Sequence, residues 1–295
     1  MNSNNYLIIG GSGYLGSYFV KNLVSQKKEI LLTYNSKQYQ KKNNYINSFQ
    51  LDLSSLKSID GFCEKINQYK NLNVIFLAAY HHPDEVKKNP NKAFHINNTC
   101  YSYFLTKLKN INTLYYSSTD SVYGNCEENE IFSEESKTNP ENLYGKQKLI
   151  AEQITLAHGH NVIRYPFLIG PSESYKKHFY DIISKSLKEK KHIELICDSR
   201  RSALDFDQAA SFAIRLIENF TNKDLGIINI CSDEVLTKFD IGQKIAKSLN
   251  LNNKYLKPIK FSEFSEFSQG RAKNTILSNK KLKHLLNISE ILLKL

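Results

Sequence analysis

The chain has 295 residues, 41% hydrophobic and 23% charged, enough for one large α/β domain or a main domain with an appendage. No apolar run approaches the roughly 20 residues of a membrane span, and the uncharged start Met1-Asn2-Ser3-Asn4-Asn5 does not resemble a signal peptide, so neither a membrane partner nor export is expected. The formal charge of +11 comes largely from lysines scattered among asparagines, in pairs such as Lys41-Lys42, Lys87-Lys88 and Lys190-Lys191; this reads as a solvated surface, arguing against nucleic acid and leaving an anionic small molecule as the economical partner.

Short β-type runs are expected at Tyr6–Ile9, Ile30–Thr33, Ser48–Leu51, Val74–Ala78, Thr113–Ser117, Asn161–Arg164 and Gly226–Cys231. Between them, apolar residues recur at helical spacing, as in Leu15-Phe19-Val20-Leu23 and Leu149-Ile150-Ile154-Leu156-Ala157. Alternation of this kind predicts an α/β fold, a Rossmann-type doubly wound parallel sheet with helices on both faces. After about Gly170 the rhythm loosens, with isolated helical patterns around Phe179–Lys190, Asp207–Phe220 and Phe239–Leu249. The expected division is a dinucleotide-binding domain over 1–170, completed by 204–231, and a smaller C-terminal substrate lobe over 171–203 and 232–295. The five cysteines, Cys63, Cys100, Cys126, Cys197 and Cys231, never form Cys-x-x-Cys; no disulfide framework and no metal site are expected, in keeping with a reducing cytoplasm.

The first strand runs into Gly10-Gly11-Ser12-Gly13-Tyr14-Leu15-Gly16 and then a helical pattern. Glycines at Gly10, Gly13 and Gly16 let the backbone turn and approach a pyrophosphate, and the helix start at Tyr14 and Leu15 offers it N–H groups and a partial positive charge. An NAD site usually carries a carboxylate after the second strand. Here the segment reads Tyr34-Asn35-Ser36-Lys37, so Ser36 and Lys37 are candidates for a 2′-phosphate and NADP(H) is favoured over NAD(H). Asp52 and Leu53, after the third strand, are placed near the adenine edge.

Further along, Tyr144 and Lys148 stand four residues apart on a helical pattern, one turn apart on one face. A phenol with an ordinary pKa near 10 is a poor acid–base group at neutral pH; a neighbouring ammonium stabilises its phenolate. The hydroxyl run Ser117-Ser118-Thr119 followed by Asp120 lies at the carboxyl end of a strand, where ligands of open α/β sheets bind. A Ser or Thr there can hydrogen-bond a substrate carbonyl while Tyr144 moves the proton.

These motifs in this order resemble the extended short-chain dehydrogenase/reductases, over nearly the whole length. The glycine loop, Phe76-Leu77-Ala78-Ala79, Asn97 within His95-Ile96-Asn97-Asn98-Thr99, Ser118 to Gly124, Asn142 to Lys148, Arg164-Tyr165-Pro166 and Gly170-Pro171 carry the likeness. Two stretches are most similar to the dTDP-4-dehydrorhamnose reductase branch: Ser118-Thr119-Asp120, and Gly270-Arg271-Ala272-Lys273-Asn274 running on to Leu282. Val122-Tyr123-Gly124 and Leu204 to Ala209 are closer to the epimerases, and Ala272 stands where a proline is usual.

The resemblance implies Thr119, Tyr144 and Lys148 as catalytic residues, with Ala78, Ala79 and Asn97 beside the cofactor. It also implies a nucleotide-sugar substrate held by Ser118, Asp120, Arg200, Arg201 and Arg271, since a planar guanidinium binds phosphate oxygens in pairs. Reduction of a nucleotide-linked 4-keto-6-deoxy sugar is the favoured expectation. An epimerase that retains its NAD, and a cofactor-binding regulatory subunit without turnover, are the alternatives; Asp120-Ser121 in place of an Asp-Glu pair disfavours dehydration. A homodimer is left open as the assembly.

Overall fold

The computed structural model describes residues 5–36, 43–127, 130–172, 177–221, 223–263 and 270–295. In chain order the elements are β1 (Asn5–Ile9), α1 (Tyr14–Ser25), β2 (Ile30–Tyr34), β3 (Ile46–Gln50), α2 (Leu56–Ile66), β4 (Leu72–Phe76), α3 (Pro83–Lys88) and α4 (Pro90–Phe94). A π-helical turn, His95–Cys100, leads into α5 (Tyr101–Lys107), β5 (Ile111–Thr119), a 3-10 turn at Asp120–Val122, α6 (Leu143–Ala157), β6 (Asn161–Tyr165), β7 (Phe167–Ile169) and α7 (Phe179–Lys188). Then follow β8 (Ile193–Ile196), β9 (Arg201–Asp205), α8 (Phe206–Asn219), β10 (Ile227–Asn229), β11 (Val235–Leu236), α9 (Lys238–Ser248), β12 (Leu256–Ile259) and α10 (Lys280–Leu286).

The chain forms two compact units. The first comprises Met1–Thr119, Leu143–Arg164 and Ala210–Ile228, and is built on a seven-stranded sheet of order β10-β6-β5-β4-β1-β2-β3. Strands β3, β2, β1, β4 and β5 pair in parallel. β1 is buried on both faces at Leu7, Ile8 and Ile9, which explains why its sequence is a continuous apolar run and not an alternation. Leu7, Ile9, Val74, Phe76, Leu114 and Tyr116 pack against Ile59, Phe62 and Phe104 of α2 and α5 and against Ala151 of α6. Strand order reverses between β1 and β4, so the switch point where open α/β sheets bind ligands lies at the carboxyl end of β1.

The second unit comprises Asp120–Asn142, Tyr165–Ala209 and Asn229–Leu295. It holds a three-stranded sheet, β11-β9-β7, and a two-stranded sheet, β12-β8. Ile169, Ile183, Leu187, Leu195, Ala203, Ile241, Ile245 and Leu256 form its core. α9 begins with a reciprocal cap in which Thr237 and Asp240 satisfy each other's backbone N–H groups. Residues 120–142 and 165–170 fall in the second unit, and of 204–231 the stretch Ala210–Ile228 falls in the first. The cause is long-range pairing, because Phe132 bridges Leu277, and Asn229 donates to Glu134 at 2.8 Å.

Candidate active site

The glycine loop closes on itself at the end of β1. Gly10 has φ +88°, and a Cβ there would come within 3.0 Å of the Ala78 nitrogen; only glycine combines that angle with that approach. A Cβ on Gly16 would lie 2.5 Å from the Gly10 carbonyl oxygen, so α1 can pack this closely on the loop only without a side chain. Gly10 N donates to Thr33 Oγ1 at 2.9 Å and Gly13 N to Gly10 O at 3.0 Å. Gly13, exposed, is the N-cap of α1 and no side chain caps the helix. Tyr14 and Leu15 open the helix, half-buried. An uncapped helix start behind a bare glycine turn fits the pyrophosphate of a dinucleotide.

Around this loop, Ala78 and Ala79 leave β4 half-buried, and Ala78 faces Gly10. Ser36 is exposed just past β2, and Lys37 lies outside the described residues. Asp52 accepts from Ser54 N at 2.9 Å and Ser54 Oγ at 2.7 Å; these bonds hold its carboxyl below the usual range. Leu53 packs against the first unit's core. Asn97 is buried in the π-helical turn, where its Oδ1 accepts from Tyr80 N at 2.8 Å. Its Nδ2 donates to Tyr80 O at 3.1 Å and to Gln147 Oε1 at 2.9 Å. Those bonds tie the segment after β4 to α6, a positioning arrangement that the sequence motif did not disclose.

At the carboxyl end of β5 the strand alternates: Ser117 and Thr119 are half-buried while Ser118 is buried. Ser118 Oγ donates to Glu152 within the core, and the pleat turns it to the opposite face from Thr119. Asp120 is buried in the 3-10 turn that begins the second unit, its carbonyl accepting from Tyr123 N at 3.0 Å. Tyr144 stands half-buried in the first turn of α6, with Lys148 buried one turn later. Lys148 Nζ donates to Ser117 O at 2.5 Å and sits 4.2 Å from the centre of the Tyr116 ring. Burial pushes the Lys148 ammonium down to about 7, and the Glu152 carboxylate opposes that fall. The phenol of Tyr116, fully buried, is pushed well up. The arrangement therefore supplies a partly exposed phenol beside a buried, readily deprotonated ammonium.

The second unit gathers cations of its own. Just before β9, Arg200 is exposed, its backbone N donating to Asn274 Oδ1 at 2.8 Å. Arg201, which opens β9, places its guanidinium carbon 5.8 Å from the Phe167 ring centre. Its buried Nε has no hydrogen-bond partner among the described residues. Lys238 Nζ lies 5.8 Å from the Phe179 ring, and Phe167 and Phe179 meet edge to face at 5.3 Å. Burial and the charges of Arg201 and Arg271 bring Lys238 down to about 8. So Arg201 and Arg271 both lie within electrostatic reach of Lys238, while Arg200 is exposed ahead of the strand. Lys238 carried no signal of its own, being one more lysine behind a Thr N-cap. Two cations beside aromatic rings, one of them with a buried unsatisfied donor, and a third acting on Lys238 suit an anion carrying an aromatic group. Among the described residues, no helix is long and apolar enough to cross a membrane.

Comparison with known proteins agrees with this architecture. A solved hypothetical dTDP-4-dehydrorhamnose reductase from Sulfolobus tokodaii is 24% identical, with a TM-score of 0.79 over 98% of this chain and 97% of that one. The dTDP-4-dehydrorhamnose reductase of Bacillus anthracis, solved in complex with NADP, is 20% identical, with a TM-score of 0.78 over 98% and 95%. Among curated proteins, methionine adenosyltransferase 2 subunit beta of Danio rerio is 29% identical over 63% of this chain, and the match spans 58% of that protein's length. The family model described as RmlD substrate binding domain matches residues 4–291. The chain belongs to that family.

Proposed function

We propose that the protein is an NAD(P)H-dependent oxidoreductase that reduces the keto group of a nucleotide-linked 4-keto-6-deoxy sugar, with NADP(H) preferred. The observation that carries this reading is the pairing of half-buried Tyr144 with buried Lys148 at the carboxyl end of β5, where Thr119 also ends. When bound, the dinucleotide supplies the hydride. Gly10, Gly13 and Gly16 leave room for its pyrophosphate, and the start of α1 binds that charge. Thr119 orients the substrate carbonyl, and Tyr144 gives its proton to the carbonyl oxygen as charge develops there. The phenolate left behind is stabilised by the Lys148 ammonium, whose place is set by the Ser117 carbonyl. In the second unit, Arg201, Lys238 and Arg271 bind the nucleoside diphosphate, and Phe167 and Phe179 offer apolar surface for its base.

The test is a panel of nucleotide-linked 4-keto sugars with NADPH absorbance followed. About one NADPH should be oxidised per product formed. Purified protein that carries cofactor and isomerises a nucleotide sugar with no added NADPH would make it an epimerase and sink the reductase reading.

A second reading, a cofactor-binding subunit of a larger enzyme, is favoured by the likeness to methionine adenosyltransferase 2 subunit beta. Co-elution with a methionine adenosyltransferase catalytic chain, together with no turnover across the sugar panel, would select it.

A further inference from the structure

α6 carries a second buried charge that the proton transfer does not use. One turn beyond Lys148, Glu152 is fully buried. Arg164 of β6 grips it with two bonds, Nε to Oε1 at 3.0 Å and Nη2 to Oε2 at 2.6 Å, and Ser118 of β5 donates to the same Oε1. Taking a carboxylate and a guanidinium out of water costs so much that well-packed apolar residues often serve stability as well or better. Stability alone therefore gives no reason for ions here. Their location does. Glu152 shares a helix face with Lys148, and Ser118 follows Ser117, whose carbonyl receives the Lys148 ammonium.

We propose that Glu152, gripped by Arg164 and Ser118, is a positioning residue that holds Lys148 in its charged form beside Tyr144. The inference rests on the role of Lys148 in the proposed reaction. The groups that face Lys148 leave this task to Glu152. Tyr144 lies on the same helix, and Tyr116 of β5 supplies a ring face. Tyr101 of α5 lies tilted against that ring, centroids 4.8 Å apart. Burial pushes both Tyr101 and Tyr116 upward, so they stay neutral at working pH. Asn97 and Gln147 bond to each other and carry no charge. Arg164 approaches the carboxylate from β6. Against burial, which drives Lys148 toward the neutral amine, Glu152 is the opposing influence.

The test uses cofactor-free protein with ¹³Cε-labelled lysine, following the Lys148 resonance against pH and assigning it by its loss in Lys148→Met. Glu152→Gln should lower the Lys148 midpoint by about one pH unit or more. Because that variant leaves Arg164 buried without a counter-ion and can fail to fold, Glu152→Leu/Arg164→Met, which removes both charges, is measured beside it and should move the midpoint the same way. Glu152→Asp, which keeps the charge, should stay near the parent. The alkaline limb of kcat should fall with the midpoint, while dinucleotide affinity stays within about threefold, roughly 0.65 kcal/mol. A folded, charge-removed variant whose Lys148 midpoint matches the parent would overturn the proposal and leave the ion pair structural. The resonance needs no substrate, so an inactive parent protein would count against the sugar assignment and not against this one.

Discussion

The Lys148 ammonium lies 4.2 Å from the centre of the Tyr116 ring, which is fully buried and itself stacks on Phe76 of the neighbouring strand at 5.9 Å. The cation is thus held in place from below by an aromatic face and from the side by a backbone carbonyl, one helical turn from Tyr144. Such a seat restricts where the charge can be, which is what stabilising a phenolate requires.

Tyr144→Phe removes the proton and leaves that seat intact. The expected result is a fall in kcat of about 10²–10⁴-fold, the usual worth of general acid–base catalysis. Dinucleotide affinity, measured by fluorescence titration, should stay within a few-fold of the parent. A variant with more than half the parent kcat removes Tyr144 from the mechanism.

Lys148→Met should abolish turnover yet stabilise the fold. A lysine whose folded-state pKa is lowered from 10.5 to about 7 binds its proton less well in the native than in the unfolded chain. Its cost to stability is therefore complete below about 7 and disappears as pH rises toward 10.5. The melting temperature of the variant should exceed the parent's at pH 6–7 by at least about 2–4 °C, the shift that about 1 kcal/mol gives in chains of comparable size. The gap should narrow as pH is raised toward 9. An equal or lower melting temperature at pH 6 would show that Lys148 is not held at a cost.

Arg201→Ala and Arg271→Ala should each raise the KM for a nucleotide sugar by about tenfold or more, since a hydrogen bond to a charged group is worth about 1.5–3 kcal/mol. Arg200→Ala, at an exposed residue just before β9, serves as the comparison and should change KM by less than about twofold. Equal effects from Arg200 and Arg201 would mean that exposure and the approach to Lys238 do not sort them.

Nucleoside diphosphate affinity should depend on pH through Lys238. Its ammonium, brought down to about 8 by burial and two guanidinium neighbours, is regained when a diphosphate supplies negative charge. Binding should therefore take up a proton and weaken as pH rises through about 8. Calorimetry in buffers of different ionisation heat at pH 8 reads that uptake directly, and Lys238→Met should abolish it.

Gly16→Ala tests the cofactor cradle. The added methyl would sit 2.5 Å from the Gly10 carbonyl oxygen and 2.8 Å from the Gly11 Cα, so the loop and α1 must separate. Dinucleotide binding should be lost or weakened by more than about tenfold, read by equilibrium titration; affinity unchanged from the parent would place the pyrophosphate elsewhere.

Much of this protein is written locally in its chain. The apolar run at Tyr6–Ile9, the glycine turn and the helical spacing after it place β1, the loop and α1 without any tertiary information, because backbone angles and period are local properties. The spacing of Tyr144 and Lys148 likewise puts them on one helix face wherever that helix packs. What the sequence could not supply is set by contacts between distant residues. β7, β9 and β11 have at most five residues and include Arg201, Ser202 and Asp205, too short and too polar to announce a strand until their partners are in place. The pleat of β5 decided that Ser118 faces Glu152 while Thr119 does not. Packing of α9 brought Lys238 to Arg201 and Arg271, and its depressed ammonium is a consequence of that meeting. The buried Glu152–Arg164 pair joins a helix to a strand 12 residues on. In each case the energy is one of desolvation or of charge at short range, and such terms come into being only once the chain has folded.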